Sequence, residues 1–339
     1  MSRISFGLWA AMVLILVPLA GAQSYTLTDL GVLAGGNETL PVAINNHGDV
    51  VGSGFVNGEF HAFLWSIAGG IQDLGTLPGD TESDAYGIND SGTVVGLSTS
   101  DSGHHAFLWT QKGGMQDLGN LGGSNGAFAT GINDSGEVVG YSALAGNVLV
   151  HAFLWTNAGG MQDLGTLGGE VSSAYAINAA GDVVGASTPS SNLSIYHAFL
   201  WTQSGGMQDL GVLAEGNTYS YALAINESGR VAGYSGVGNF DSAFAWTQSQ
   251  GMRSLNAGDE SIAYGINAAG EVVGGYGVLN AFNAFVWTPN QHLQNLNDLI
   301  PPNSGWVLES ASGVNRTGQI AATGTTSAGI HGALLTPTN

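Results

Sequence analysis

The chain has no cysteine, so disulfides cannot hold its fold together and thiolates cannot hold a metal in it. At 339 residues it can bury enough apolar surface to stand without such staples. Positive charge is nearly as scarce: five Lys and Arg stand against 25 Asp and Glu, a formal net charge of −20. Binding to nucleic acid or to an anionic bilayer surface needs clustered Lys and Arg, so neither is an expected partner. The acidity reads as solubility in salty or extracellular surroundings, or as provision for a cation. Charged residues of both signs make up only 9% of the chain, while glycine reaches 55. The straight-chain residues that favour helices are therefore thin, and the composition suits short strands and tight turns.

Long hydrophobic runs are also missing, with one exception. Phe6 to Leu19 is apolar, follows Arg3 and precedes the small residues Ala20-Gly21-Ala22. This is the pattern of a secretory signal peptide over residues 1–22, and it falls short of the ~20 apolar residues of a membrane span. The expectation is a secreted protein, extracellular or periplasmic, whose mature chain of residues 23–339 has no stable membrane insertion.

What is abundant is repetition. The pair Ile-Asn recurs at Asn45, Asn89, Asn133, Asn178, Asn226 and Asn267, and Val314-Asn315 makes a seventh. Successive asparagines lie 44, 44, 45, 48, 41 and 48 residues apart. Each unit contains four short strand signals. The first two are joined by Asn-x-x-Gly, where Asn suits the first turn position and Gly the positive φ of the fourth. These asparagines therefore read as turn formers. Four antiparallel strands every 40–50 residues mark a propeller blade. The rival, a β-solenoid, has shorter coils and gives no reason for the way the last unit is divided. The seventh unit stops after three strands, and its missing Asp-Leu-Gly strand stands at Tyr25–Gly31. A ring explains this division. The expected fold is all-β: a single seven-bladed β-propeller of four-stranded antiparallel blades, closed by the N-terminal strand completing the last blade.

The segments HAFLW, GINDSGxVVG and GGMQDLGxLGG resemble those of the HAF-repeat family of probable extracellular bacterial proteins, over nearly the whole mature chain. The resemblance implies secretion and repetition; it carries over no active site.

HAFLW begins at His61, His105, His151 and His197, with altered copies at Ser242, Asn283 and His331. Alternate residues of a strand share a face, so Phe63 and Trp65 lie on one side and Ala62 and Leu64 on the other. Large and small residues then interdigitate between blades. Trp65, Trp109, Trp155, Trp201, Trp246 and Trp287 are expected in the core rather than in a binding site. The histidines open the third strand, at the rim that carries the 2→3 and 4→1 loops. Equivalent positions on neighbouring blades lie at least ~10 Å apart, too far to share a zinc ion, whose Zn–N distance is ~2.0 Å. His61, His105, His151, His197 and His331 are therefore expected to hydrogen-bond a carbonyl or carboxylate within each blade.

Function on a repeat scaffold sits on its variable loops. Asp80, Glu82 and Asp84 alternate there, so their oxygens could converge on Ca²⁺; the alternative is a solvated acidic loop. One first-strand position varies between units: Leu40, Asp84, Phe128, Ser173, Tyr221, Ile262 and Ser310. Asp84, Phe128, Tyr221 and the nearby Trp306 are the candidate ligand-binding residues, suited to stacking on a sugar or to contacts with a protein. No nucleophile motif or HExxH is present, and no pair of carboxylates stands out for glycoside hydrolysis. The expected function is a non-enzymatic binder of an extracellular glycan or protein at the loop-rich rim. A polysaccharide-acting glycosidase or lyase and a purely structural envelope component are the alternatives.

Overall fold

A computed structural model describes residues 24–338 apart from Ser102, Asn147, Val148, Asn239, Asp259, Leu279 and Asn280. The segment expected to be a signal peptide, residues 1–22, lies outside the described residues. All strands fall into seven four-stranded antiparallel sheets, six of them built from four consecutive strands. Blade 1 runs Gly36–Ile44, Val50–Val56, Glu59–Ser66 and Gly70–Asp73, and blades 2 to 6 repeat it. Blade 7 takes Val307–Val314, Ile320–Thr326 and Gly329–Thr338 and adds the N-terminal strand Ser24–Asp29. That strand pairs along its length, from Ser24 opposite Thr338 to Asp29 opposite Ala333. The ring is closed as the divided repeat required. Among the described residues the only helical turn is Leu296–Asp298, and no helix is long and apolar enough to cross a membrane.

The first strand of every blade lies innermost and lines a central channel, and the fourth forms the outer edge. The core lies between blades. Phe107 and Trp109 of blade 2 pack on Val51 and Ala62 of blade 1, and Phe153 and Trp155 of blade 3 pack on Val95 and Ala106 of blade 2. Phe63, Phe107, Phe153, Phe199, Phe244 and Phe285 are fully buried. The Val-Val-Gly of the second strand makes room for them: a Cβ on Gly96 would stand 1.9 Å from the Asp84 carbonyl and 2.8 Å from the Phe107 ring. Blade 7 changes both members of this pair, to Ala322 and Ala333. Trp65, Trp109, Trp155, Trp201 and Trp246 are buried, while Trp287 only fringes its cluster.

The turn asparagines do more than turn. Each buried side-chain oxygen accepts backbone N–H groups of its own turn, as Asn45 does from His47 and Asp49. Each side-chain amide then donates to the backbone carbonyl of the asparagine one blade on. The chain of bonds runs from Asn45 to Asn89, Asn133, Asn178, Asn226, Asn267 and Asn315, at 2.9–3.4 Å. Asn315 donates to Asn45 at 3.1 Å and completes the circle. An aspartate keeps the acceptor but loses the donor, which explains why all seven positions hold the amide.

The histidines pair with carboxylates. His61, His151, His197 and His331 each hold the Asp of their own blade's outer strand, Asp73, Asp163, Asp209 and Asp29, at 2.8–3.1 Å. Where the histidine changes, its partner changes too: Ser242 accompanies Ser254, and Asn283 accompanies Asn295, whose amide donates to it. His105 departs from the expected bond within the blade. It takes Asp80, from the segment joining blades 1 and 2, at 2.9 Å.

Candidate functional site at the loop-rich mouth of the channel

The 1→2 and 3→4 turns make one rim of the ring, and the 2→3 and 4→1 connections make the other. The channel between them encloses about 600 Å³ and is lined by all seven first strands, whose equivalent positions hold Val42, Tyr86, Thr130, Tyr175, Leu223, Tyr264 and Ser312. Towards the loop-rich mouth the next ring is set by pairs across the two inner strands. They are Leu40/Ser53, Asp84/Leu97, Phe128/Tyr141, Ser173/Ala186, Tyr221/Tyr234, Ile262/Gly275 and Ser310/Thr323. Blades 3 and 5 thus place two rings each at the mouth, and blade 4 leaves Tyr175 uncovered between them.

These rings form two aromatic clusters, one on blades 2 and 3 and one on blades 4 and 5. Phe128 stacks on Tyr141 at 4.7 Å and lies 4.9 Å from the His104 ring. Tyr221 stacks on Tyr234 at 5.0 Å and on Tyr196 at 5.6 Å, and lies 6.4 Å from Tyr175 and 6.1 Å from Tyr219. The Tyr219 hydroxyl donates to Asp241 at 2.8 Å. Burial, then Asp241, pushes the Tyr219 hydroxyl up to about 12; burial, then Tyr196 and Asp241, does the same for Tyr221. Burial also raises Tyr86, Tyr175 and Tyr234. These five hydroxyls, of Tyr86, Tyr175, Tyr219, Tyr221 and Tyr234, are thus neutral over the physiological range.

The candidates read from sequence do not gather into one site. Phe128 belongs to the cluster on blades 2 and 3 and Tyr221 to the cluster on blades 4 and 5. Asp84 stands at the mouth on blade 2, where its carboxylate accepts a hydrogen bond from Ser53 of blade 1. Trp306 does not face the channel: it sits over Gly324, its ring edge-on to His331 at 6.3 Å, and packs against the core between blades 6 and 7. The convergence of Asp80, Glu82 and Asp84 on a cation is not formed. Burial pushes the Asp80 carboxyl up, but hydrogen bonds from Ser98, His105 and Ser100 outweigh it and hold it below the usual carboxylate value. Glu82 turns to Glu59, whose carboxyl raises it, with burial and Asp84 adding to the shift. Among the described residues no three His, Asp or Glu side chains are grouped to hold a metal. The alternation that suggested a common face fails because Asp80 precedes the strand, which starts at Glu82.

Tyr86, Tyr141, Tyr175, Tyr234 and Tyr264 were not singled out from sequence. Their signal is present in the aligned repeats, since the second-strand position opposite the variable one changes in step: Ser53, Leu97, Tyr141, Ala186, Tyr234, Gly275 and Thr323.

Charge divides the molecule in the same way. Among the described residues Lys112, Arg230 and Arg316 lie in or beside turns of the opposite rim, and Arg253 lies on the outer strand of blade 5. No Lys or Arg stands on the described loop-rich rim, which carries Asp84, Asp241, Glu260, Glu309 and most of the other carboxylates.

Comparisons with protein-family models and with curated proteins give no match. Solved structures do resemble the chain. An oligogalacturonate lyase in complex with manganese superposes with a TM-score of 0.60 at 11% identity, over 92% of this chain and 93% of that one. The oligogalacturonate lyase of Vibrio parahaemolyticus gives 0.57 at 10% identity, over 91% and 93%. Virginiamycin B lyase of Staphylococcus aureus gives 0.56 at 14%, over 93% and 99%. At these identities the likeness is one of fold.

Proposed function

We propose that this chain is a secreted, non-enzymatic β-propeller that binds an extracellular glycan at the loop-rich mouth of its channel. The observation that carries the reading is the pair of aromatic clusters at the mouth, on blades 2–3 and 4–5, beside a channel of about 600 Å³ whose lining adds Tyr86 and Tyr264. Sugar rings present flat C–H faces that stack on such rings, and hydroxyls at their edges that need partners. The Asp241 carboxylate and the neutral tyrosine hydroxyls supply those partners. The rim without Lys or Arg supports neutral or cationic glycans over uronates or sulfated chains, which such a field repels.

A glycan array on the mature protein, with and without EDTA, tests this. Tyr221→Ala and Tyr175→Ala should each lower affinity for the bound glycan at least tenfold. Asp134→Ala and Glu227→Ala, on the opposite rim, should leave it unchanged. Binding abolished by the second pair and kept by the first puts the site on the wrong rim. Turnover of a polysaccharide at the same mouth replaces the binder with an enzyme.

A further inference from the structure

Beside the channel, between blades 6 and 7, lies a second cavity of about 270 Å³, lined by Glu260, Ile262, Tyr264, Gly275, Phe282, Glu309 and Ser310. Tyr264 lines both this cavity and the channel, so the two spaces meet at its ring. The cavity is bordered by two glycines in the second strand of blade 6: Gly275, which no other blade carries at its position, and Gly277, which blade 5 shares as Gly236. Gly275 stands where blades 3 and 5 carry Tyr141 and Tyr234, and it leaves open the space those rings fill. Gly277 stands where blades 1 and 2 carry Phe55 and Thr99, and a Cβ there would lie 2.6 Å from the Glu260 carboxylate.

Its walls are of two kinds. Glu260 holds a left-handed backbone, φ 61°, with its carbonyl accepting from Gly277 at 3.1 Å. Glu309 is the extra residue of a bulge between Leu308 and Ser310, an irregularity that re-aims a side chain. Around these two carboxylates stand Phe282, 56% exposed, and Tyr264, 38% exposed. Apolar rings left this open in a cavity that two acids also line suit one ligand chemistry above others, an organic ammonium. Its charge is met by the carboxylates and its C–H groups by the ring faces. Ca²⁺ takes six to eight oxygens and has no use for the rings. An anion meets no Lys or Arg among the described residues of this rim.

We propose that this cavity seats a protonated amine of the ligand, and therefore that the glycan bound at the channel mouth carries free amino groups. The proposal rests on the glycan-binding reading. A sugar stacked at Tyr264 has its substituents beside the mouth of the cavity, where an ammonium is attracted and an N-acetyl group is not.

The test compares oligomers of one backbone that differ only in the amine: glucosamine oligomers against N-acetylglucosamine oligomers of equal length, titrated by calorimetry at low and at raised ionic strength. The free amine should bind at least tenfold more tightly, with the advantage shrinking as salt rises. The double variant Glu260→Gln and Glu309→Gln should remove the preference while leaving the N-acetylated oligomer's affinity unchanged. Gly275→Tyr, which fills the cavity with the ring that blades 3 and 5 carry there, should do the same and checks the glutamine result by a different route. Equal affinity for the two oligomers overturns the amine seat, as does a preference that survives in both variants. Binding only to other, neutral glycans also overturns it and leaves the glycan reading standing. Binding to no glycan on the array removes both.

Discussion

The two rims are made of the same seven repeats and have opposite characters. On the turn rim one residue, asparagine, occupies the same place seven times and bonds to its own copy in the next blade, round to the start. On the loop-rich rim the equivalent places hold Asp84, Phe128, Ser173, Tyr221 and others, no two neighbours alike. A cyclic scaffold needs identical joints to close without strain, whereas a binding site needs one direction to differ from the rest. The sequence repeats strictly where blades are joined and diverges where the channel opens. On the proposed reading, stability and recognition are thus sorted to opposite ends of the same strands.

Changes confined to the joints should break the ring and spare recognition. The largest effect is expected from removing Tyr25–Gly31, which leaves the third strand of blade 7 with an unpaired row of donors and acceptors. Loss of cooperative unfolding, or aggregation, should follow on calorimetric melting. A monomeric product with an unchanged melting curve would refute closure by this strand. Next comes Trp109→Ala, which empties a buried ring site at the joint of blades 1 and 2 and should cost ~3–5 kcal/mol in denaturant unfolding. Asn315→Ala removes both the turn acceptor and the donor that closes the asparagine circle. About 1–3 kcal/mol is expected, with glycan affinity unchanged in the protein that remains folded. A loss of affinity larger than the loss of stability would show that the two rims are coupled.

The smallest effect concerns His105 and Asp80. His105→Ala should cost on the order of 1–2 kcal/mol, one hydrogen bond at a half-wet rim, and so less than Trp109→Ala. The Asp80 side chain is only 4% exposed and its carboxyl is held below the ordinary value. A carboxyl depressed by folding stabilises the protein above its unfolded value of about 4, and this contribution is lost as pH falls through the folded value. Asp80→Asn should therefore flatten the acid limb of the stability curve below about pH 4 and leave its neutral-to-basic limb parallel to that of the parent. Identical slopes on the acid limb in parent and variant would contradict the assignment.

The ring was legible because repetition turns one sequence into seven aligned observations. The divided last unit predicted the pairing of Tyr25 with blade 7, and the alternation in HAFLW predicted the packing of Phe107 and Trp109 on Ala62. The mouth was legible only in part. Tyr221 and Phe128 were marked by their variability, yet their neighbours Tyr234 and Tyr141 come from the second strand, and only cross-strand register brings those pairs together. Trp306 was misplaced because a tryptophan beside a loop looks exposed until Gly324 is seen to make room beneath it. The acidic triplet failed because each carboxylate found a nearer partner, in Ser53, Glu59 or His105, and such contacts across blades leave no trace in spacing.

The closing strand also sets the order of events in folding. Ser24 meets Thr338, so the first described strand has no partner until Gly329–Thr338 is available, and the intervening blades must be in place to bring the two together. Contacts of such long sequence separation slow the final step, because the loop they close is nearly the whole chain. If the chain is exported N-terminus first, as the proposed secretion requires, it carries an unpaired strand throughout its passage. A circular permutant opened between blades 1 and 2, with the present ends joined, makes that strand pairing local. It should reach the native state sooner at nearly unchanged stability.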